Sequence, residues 1–182
     1  MSLAKLAGLF IALSVFVALG ACKKERIVSP DIVALAPALA APAKQAPNLA
    51  LPLVSSGATW ELASVLGKKT VLLAFFTTWC PHCKRSMPYL QELYEKNDFN
   101  NLEIIAIDIE EKPEQARAFV KKYGLKFPVL LAEDQGAFAR NYPVRYLPTL
   151  YLIGRDGSLV KRYEGFHPSI LDEVSRQISL SN

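Results

Sequence analysis

The chain has 182 residues, of which 51% are hydrophobic and 21% charged, and its formal net charge is +4 at pH 7. This length and composition are typical of one globular domain with additional sequence at one end. Because the basic residues are dispersed and mixed with acidic ones, the charge pattern excludes nucleic acid as an expected partner.

The first 21 residues have the layout of a secretory signal. Lys5 precedes an apolar run over residues 6–19, which is too short and too weakly flanked to predict a membrane-spanning helix. The segment ends in Leu-Gly-Ala-Cys, which resembles the bacterial lipobox and implies that Cys22 is acylated and becomes the first residue of the mature chain. An acylated Cys22 would anchor the protein to a membrane. An uncleaved anchor and cleavage at an ordinary signal-peptidase site are the alternatives.

Residues 22–56 are rich in alanine and proline, and the first aromatic residue after them is Trp60. Such a composition cannot bury enough apolar surface to offset its ordering entropy, so it predicts an extended tether. The alternative is that the apolar stretch NLALPLV, residues 48–54, packs on the domain as an extra strand. The folded domain is predicted over residues 57–182.

From residue 57 onward, helical and strand patterns alternate. The first half predicts a short helix in WELASVLGKK (60–69), a buried strand in TVLLAFF (70–76), a helix from Pro81 to about Lys96, a strand in LEIIAIDI (102–109) and a helix in PEQARAFVKKYG (113–124). The second half predicts a strand in FPVLLA (127–132), a short helix in QGAFARNY (135–142), a hairpin of strands at 149–154 and 158–165, and a helix at 168–179. This order predicts an α/β fold with a mixed sheet between helices.

Two of the three cysteines, Cys80 and Cys83, lie in TTWCPHCKR, residues 77–85. A structural zinc site needs four ligands at close range, and the chain offers one other cysteine and two histidines, so no metal is expected. Covalent haem attachment needs a histidine directly after the second cysteine, where Lys84 stands. A disulfide across two residues closes too short a loop to stabilise the fold much. These exclusions favour a redox pair.

Each residue of the pair fits redox catalysis. Cys80 is predicted at a helix N-terminus, where free backbone N–H groups and the helix dipole favour a thiolate. Pro81 suits the first helical position, where no N–H donor is needed. Cys83 lies one turn deeper and can resolve the mixed disulfide that Cys80 forms. A partly protonated His82 would stabilise the thiolate further and make the disulfide more oxidising, whereas a solvated His82 would have little influence.

Three blocks of sequence resemble the thioredoxin superfamily, and more narrowly the TlpA/ResA-like exported thiol-disulfide oxidoreductases. They are GKKTVLLAFFTTWCPHCKRSMPYL (67–90), VRYLPTLYLIGRDGSLVKRYEG (144–165), and EEKPEQARAFVKKYGLKFPVLLAEDQGAFARNY (110–142), which matches the helix-strand insertion of the TlpA branch. The resemblance implies a thioredoxin-like three-layer sandwich, with a central mixed sheet flanked by helices.

The resemblance also implies roles for single residues. Pro148 is expected to follow a cis peptide bond beside the cysteines, so that the Leu147 backbone can pair with an incoming peptide strand. Trp79 is expected to shape the apolar surface around the sulfur, with core packing as the alternative. Glu111 aligns with an acidic residue that several ResA-like proteins place near the cysteines, where it could tune a thiol pKa. A solvated glutamate and a role for Glu110 instead are the alternatives.

Two departures from the family pattern bear on mechanism. Ala74 stands where thioredoxins carry a buried aspartate that assists proton transfer, so that role must pass to another group or to water. The dipeptide between the cysteines, Pro-His, resembles that of the oxidant DsbA, although the chain has no room for that family's helical domain.

The sequence therefore predicts a lipid-anchored, extracytoplasmic thiol-disulfide oxidoreductase whose redox centre is the Cys80–Cys83 disulfide, with no other cofactor. The resemblance implies that it reduces cysteine-containing exported proteins, such as apocytochromes, with electrons from a membrane thiol donor of the DsbD/CcdA kind. A DsbA-like oxidase of secreted proteins and a non-catalytic thioredoxin-fold binding module are the alternatives.

Overall fold

The computed structural model describes residues 44–96, 101–109, 112–132 and 136–180. All of them belong to one compact unit, Ala41–Asn182. The predictions of a signal peptide and of lipidation at Cys22 fall on residues outside this description, as does the predicted role of Glu111.

The secondary structure follows the predicted alternation. The strands are β1 (Ala50–Pro52), β2 (Thr59–Glu61), β3 (Thr70–Phe76), β4 (Leu102–Asp108), β5 (Val129–Leu131), β6 (Thr149–Ile153) and β7 (Leu159–Glu164). The helices are α1 (Pro81–Lys96), α2 (Pro113–Tyr123), α3 (Gly136–Ala139) and α4 (Ser169–Leu180). Gly124 ends α2 in a left-handed conformation with φ of 59°, as a glycine after a helix predicts. The short helix predicted over residues 135–142 is a single turn.

The main sheet has the strand order β5-β4-β3-β6-β7. Strand β3 runs parallel to β4 and antiparallel to β6, and β5 and β7 form the two edges. Every residue of β3 is buried, because this central strand is covered on both faces. The uninterrupted apolar run TVLLAFF is the sequence signature of that position.

Two apolar clusters cover the two faces of the sheet. On one face, Leu72 and Phe76 of β3 pack with buried residues of α1, α2 and α4. On the other face, Leu73 and Phe75 pack with Leu62, with residues around α3 and with the segment before β2. This is the predicted three-layer α/β sandwich, and α2 with β5 forms the predicted helix-strand insertion.

The second face is covered by a segment that we call the strap, residues 44–54. Its first end pairs with the β6–β7 turn, since Leu159 N–H donates to Lys44 O at 2.8 Å and Ala46 N–H to Gly157 O at 2.8 Å. Its other end pairs with the opposite edge of the sheet, where Val54 N–H donates to Val129 O at 2.8 Å. The strap therefore reaches from one sheet edge to the other.

The strap also buries its apolar side chains: Leu49, Leu51 and Val54 are all less than a tenth exposed. The predicted tether therefore does not extend to residue 56, and the folded domain begins before the predicted boundary at Gly57. The alternative interpretation, an extra strand from residues 48–54, describes β1. The buried leucines supply the apolar surface that a solvated tether would lack.

The helix predicted over residues 60–69 is wrong for its first residues. Trp60 lies in β2 opposite Leu51 of β1, and a 3-10 turn follows over Leu62–Ser64. Leu62 N–H donates to Leu49 O at 2.9 Å. The start of this stretch pairs with the strap as a two-stranded ribbon. The residues that follow bond to one another in turns, since Val65 N–H donates to Leu62 O at 3.1 Å and Lys69 N–H to Val65 O at 3.2 Å.

Candidate active site

The two cysteines lie where the central strand passes into the first helix. Cys80 precedes the first helical residue, Pro81, and Lys84 N–H donates to Cys80 O at 3.0 Å to close the first turn. Cys80 N–H in turn donates to Thr77 O at 3.3 Å. The predicted position of Cys80 at a helix N-terminus, with Pro81 as the first helical residue, is confirmed.

The two sulfur environments differ. Cys83 N–H donates to Cys80 Sγ at 3.2 Å, so this sulfur accepts a hydrogen bond from the first turn of the helix. Cys80 Sγ also lies 3.8 Å from Leu147 O. Cys80 is 4% exposed, whereas Cys83 is completely buried, and both are free thiols. An external sulfur can therefore reach Cys80 first and Cys83 only through Cys80.

Burial, followed by the hydrogen bond with the Cys80 side chain, raises the pKa of the Cys83 thiol well above its ordinary value. At neutral pH Cys83 therefore keeps its proton in the reduced protein. It becomes a nucleophile only when a neighbouring group or water removes that proton.

The raised pKa predicts a pH dependence for the stability of the reduced protein. Above about pH 8.5 the unfolded chain loses the Cys83 proton while the folded chain keeps it, so the free energy of unfolding falls as pH rises. The slope from this one group should approach about 1.4 kcal/mol per pH unit. Urea denaturation under reducing conditions, from about pH 7 to about pH 9, measures the slope. The window ends about one unit below the pKa of an unfolded tyrosine, about 10, because burial raises the pKa of Tyr163 to about 12 and this side chain would add to the slope at higher pH.

Cys83→Ala is the control for that slope, because it removes the titrating group and leaves Cys80 in place. We expect the free energy of unfolding of the variant to depend much less on pH over this range. An identical slope in the variant would show that another group titrates in this range.

A proline turn lies against the cysteines. The Leu147–Pro148 peptide bond is cis, as the resemblance predicts. Gly165 N–H donates to Pro148 O at 2.8 Å, which fixes this turn to the end of β7. The Leu147 carbonyl contacts Cys80 Sγ at 3.8 Å, so the chain just before Pro148 borders the outer sulfur.

A cavity of about 470 Å³ opens beside this turn, and we call it the cis-proline groove. It is lined by His82, Tyr146, Leu147, Glu164 and Gly165. Its size is within the range of small-ligand sites, about 300–1,000 Å³. One of its lining residues, Leu147, also contacts Cys80 Sγ through its carbonyl oxygen, which places the groove next to the outer cysteine.

Exposed aromatic side chains lie next to Cys80 in the chain and around the cis-proline groove. Trp79 is 60% exposed, Tyr146 64% and Tyr89 43%, and Tyr89 packs on Phe166 with ring centroids 5.6 Å apart. Exposed apolar side chains that cluster mark an interaction surface. Of the two interpretations of Trp79, the structure excludes core packing. Sequence reasoning missed the other three residues, although Tyr146 precedes the Leu-Pro pair and Tyr89 lies off the buried stripe of α1.

His82 is exposed and bonded to its helical neighbour. Arg85 Nη2 lies 2.8 Å from His82 Nδ1. Arginine has only donors, so Nδ1 must accept this hydrogen bond. The Arg85 guanidinium therefore lies directly beside the His82 ring, a contact that sequence reasoning missed.

Ala74, which stands where thioredoxins carry a buried aspartate, is itself completely buried in β3. Among the described residues, the one buried carboxylic acid is Asp108, which ends β4 opposite Phe76 of β3. Asp108 therefore lies at the same end of the sheet as the loop that carries Cys80. Its position directly after the apolar run of residues 104–107 in β4 is a sequence signal that was missed.

In the described part of the chain no group of three or more histidine, cysteine or acidic side chains is placed to hold a metal ion. Within the same residues, no helix combines the length and the apolar character needed to cross a membrane.

A five-stranded mixed sheet with a CxxC pair at the start of the helix after its central strand, and a cis proline against the outer cysteine, defines a thioredoxin-fold thiol-disulfide oxidoreductase. The chain belongs to the AhpC/TSA family, which it matches over residues 42–162. It is 40% identical to the thiol-disulfide oxidoreductase ResA of Bacillus thuringiensis over 122 residues, covering 67% of this chain and 69% of that protein.

Solved structures share the fold. A Chlorobium tepidum protein assigned to the DsbE thiol:disulfide interchange proteins matches with a TM-score of 0.68 and 26% identity, covering 76% of this chain and 96% of that one. A secreted disulfide oxidoreductase of Mycobacterium tuberculosis, homologous to E. coli DsbE, matches with a TM-score of 0.61 and 25% identity, covering 72% and 95%.

Proposed function

We propose that this protein is an extracytoplasmic, lipid-anchored thiol-disulfide oxidoreductase that reduces disulfides in exported proteins. The observation that carries the proposal is the asymmetric cysteine pair, with an outer Cys80 that borders the cis-proline groove and a fully buried Cys83. The pair is the only redox centre that the reaction needs.

The reduction proceeds in two exchanges. The Cys80 thiolate attacks one sulfur of a substrate disulfide, forming a mixed disulfide and releasing the other substrate sulfur as a thiolate that takes a proton from solvent. Cys83 then gives up its proton and attacks Cys80 Sγ, which forms the Cys80–Cys83 disulfide and releases the second substrate sulfur, also as a thiol. Two electrons pass from the pair to the substrate.

The raised pKa of Cys83 orders these steps. A protonated Cys83 is a poor nucleophile, so the first attack on the substrate falls to Cys80, and the mixed disulfide persists until Cys83 loses its proton. A group that accepts the Cys83 proton then starts the second exchange. Asp108, buried at the cysteine end of the sheet, and water are the candidates for this role.

The surface around the cysteines fits a polypeptide substrate. The cis-proline groove is open beside Cys80, and the exposed rings of Trp79, Tyr146 and Tyr89 flank the same end of the domain. An extended segment that carries a cysteine could lie along Leu147 while its neighbouring side chains contact these rings. We therefore propose cysteine-containing exported proteins, apocytochromes among them, as the substrates.

The reductive direction follows the resemblance to the TlpA/ResA-like oxidoreductases. The Pro-His dipeptide is the feature that favours an oxidant instead, because an imidazolium would stabilise the reduced, thiolate form. We propose that a membrane thiol protein of the DsbD/CcdA kind re-reduces the pair.

The proposed location rests on the first 22 residues of the sequence, which have a signal layout and a lipobox-like Cys22. The similarity to a secreted oxidoreductase of Mycobacterium tuberculosis supports export. Outside the cytosol a CxxC pair is driven towards the disulfide, so a reductant there needs a dedicated electron supply.

The equilibrium redox potential of the Cys80/Cys83 pair tests the direction. A value near or below about −230 mV, measured against defined thiol buffers, is expected for a reductant, whereas a value near about −120 mV would make the pair an oxidant and contradict the proposal.

A further inference from the structure

A second concave surface lies at the β5 edge of the sheet, and we call it the edge groove. Its volume is about 470 Å³, comparable to the cis-proline groove. It is formed where the end of the strap, the second half of α2 and the segment leading into β5 meet, and it shares no lining residue with the cis-proline groove. The family insertion and the strap therefore build together a surface that the thiol chemistry does not use.

The floor of the edge groove is apolar. It is made by residues that also reach the main core, among them Val54, Val120, Leu125, Phe127 and Val129. Leu125, Phe127 and Val129 are buried, so the floor is fixed by the packing of the domain and is not a loose loop surface. A fixed apolar floor in an open groove can accept an apolar chain from solvent.

The rim of the same groove is basic. Three cationic side chains line it, Arg117, Lys121 and Lys126, and no acidic residue is among its described lining residues. Lys126 pairs with Glu95 at 2.6 Å and Arg117 with Glu114 at 3.2 Å, but both pairs are solvent-exposed, and such pairs contribute little. Among the described residues Lys121 has no ion-pair partner. The cations are thus available to an anionic group.

We propose that the edge groove binds a single-chain anionic amphiphile, with its acyl chain on the apolar floor and its carboxylate or phosphate head at Lys121 and Arg117. The combination decides the chemistry: an apolar floor alone would accept any hydrophobic group, and a basic rim alone would accept any anion. An occupant that satisfies both must carry an apolar chain and a negative head on one molecule. The site is independent of the cysteine pair.

The test uses the full chain and a photoreactive dodecanoate with its reactive group at the end of the acyl chain. Mass spectrometry of the labelled peptides should place the label in the edge groove, on residues 117–129 or 53–55. Excess dodecanoate should compete it away. A photoreactive probe of the same chain length with a trimethylammonium head should label these residues at least about tenfold less, because the rim repels it.

Two matched pairs of surface variants test the residues. Ser55→Trp places a large ring at the groove mouth and should abolish the labelling, whereas Ser56→Trp, next to it but outside the lining, should not. Lys121→Met should weaken the binding of dodecanoate about three- to tenfold. Lys122→Met should not, since Lys122 Nζ lies over the Tyr123 ring instead of lining the groove.

Equal labelling by the anionic and the cationic probe would overturn the proposal, because the charge of the head group would then play no part in binding. Label confined to other residues, or labelling that survives Ser55→Trp, would place the amphiphile elsewhere and overturn it too. Binding to anionic vesicles without binding of monomeric dodecanoate would also contradict it. All four variants should keep the disulfide reduction rate of the parent, so a failure of this proposal is distinguishable from a failure of the proposed function.

Discussion

Cys83→Ser should convert the protein into a trap for its own substrates. Cys80 keeps its place at the start of α1 and still forms the mixed disulfide, but no resolving thiol lies behind it. The covalent complex therefore accumulates. Turnover of a protein disulfide should fall by about 10³-fold or more, as for the loss of a group that acts as a unit with the nucleophile. Non-reducing electrophoresis of cells that express the variant, followed by identification of the trapped partners, measures the effect.

Cys80→Ser should lose turnover to the same extent and trap nothing, because the fully buried Cys83 cannot be reached by an external disulfide.

Ser86→Ala is the control for a change in the same turn of helix. Ser86 is buried and donates to Cys83 O at 2.8 Å but touches neither reacting sulfur, so turnover should remain near that of the parent. Trapping by Cys80→Ser in place of Cys83→Ser would reverse the assigned roles. Full function of the double cysteine-to-alanine variant would instead favour the non-catalytic binding module.

The parts of the site that could be predicted from the sequence are those set by local chemistry. The apolar run of β3 followed by Cys80 and Pro81 shows where the strand ends and the helix begins, because burial and the missing N–H of proline act within a few residues. The cis bond before Pro148 came from family resemblance, since nothing local distinguishes it from an ordinary proline at a strand edge. The bond between Arg85 and His82 and the stacking of Tyr89 on Phe166 depend on side-chain directions that spacing alone does not give.

Only part of the strap could be predicted, because most of its structure depends on partners far along the chain. Its backbone bonds to Gly157 and Leu159 at one end and to Val129 at the other, and bonds to distant residues leave no periodic pattern in the local sequence. Its prolines and alanines are typical of a tether, whereas the apolar stretch at residues 48–54 left an extra strand as the alternative. The helix predicted over residues 60–69 is wrong at Trp60 for the same reason, because Trp60 pairs with Leu51 of the strap.

Deleting residues 1–56 should unfold the domain, whereas deleting residues 1–43 should not. The longer deletion exposes the sheet face now covered by Leu49 and Leu51, which are both buried. Truncating a buried leucine to alanine costs about 2–5 kcal/mol, so losing both side chains and the strap backbone costs as much as the whole stability of a typical domain, about 5–15 kcal/mol. Circular dichroism and urea denaturation of the two truncated chains measure the difference.

Single substitutions test whether the lost stability comes from missing side-chain packing or from the shortened chain. Leu51→Ala alone should lower the free energy of unfolding by about 2–5 kcal/mol, and Val160→Ala, on the exposed β7 edge, by less than about 0.5 kcal/mol. Tyr142→Phe removes the hydrogen bond from Tyr142 Oη to Pro47 O and should cost about 0.5–1.5 kcal/mol. If the 57–182 chain unfolds cooperatively at the same denaturant concentration as the parent, the strap contributes little to the stability of the domain. Loss of that transition, together with a large effect of Leu51→Ala, would make residues 44–54 as much a part of the domain core as the central strand.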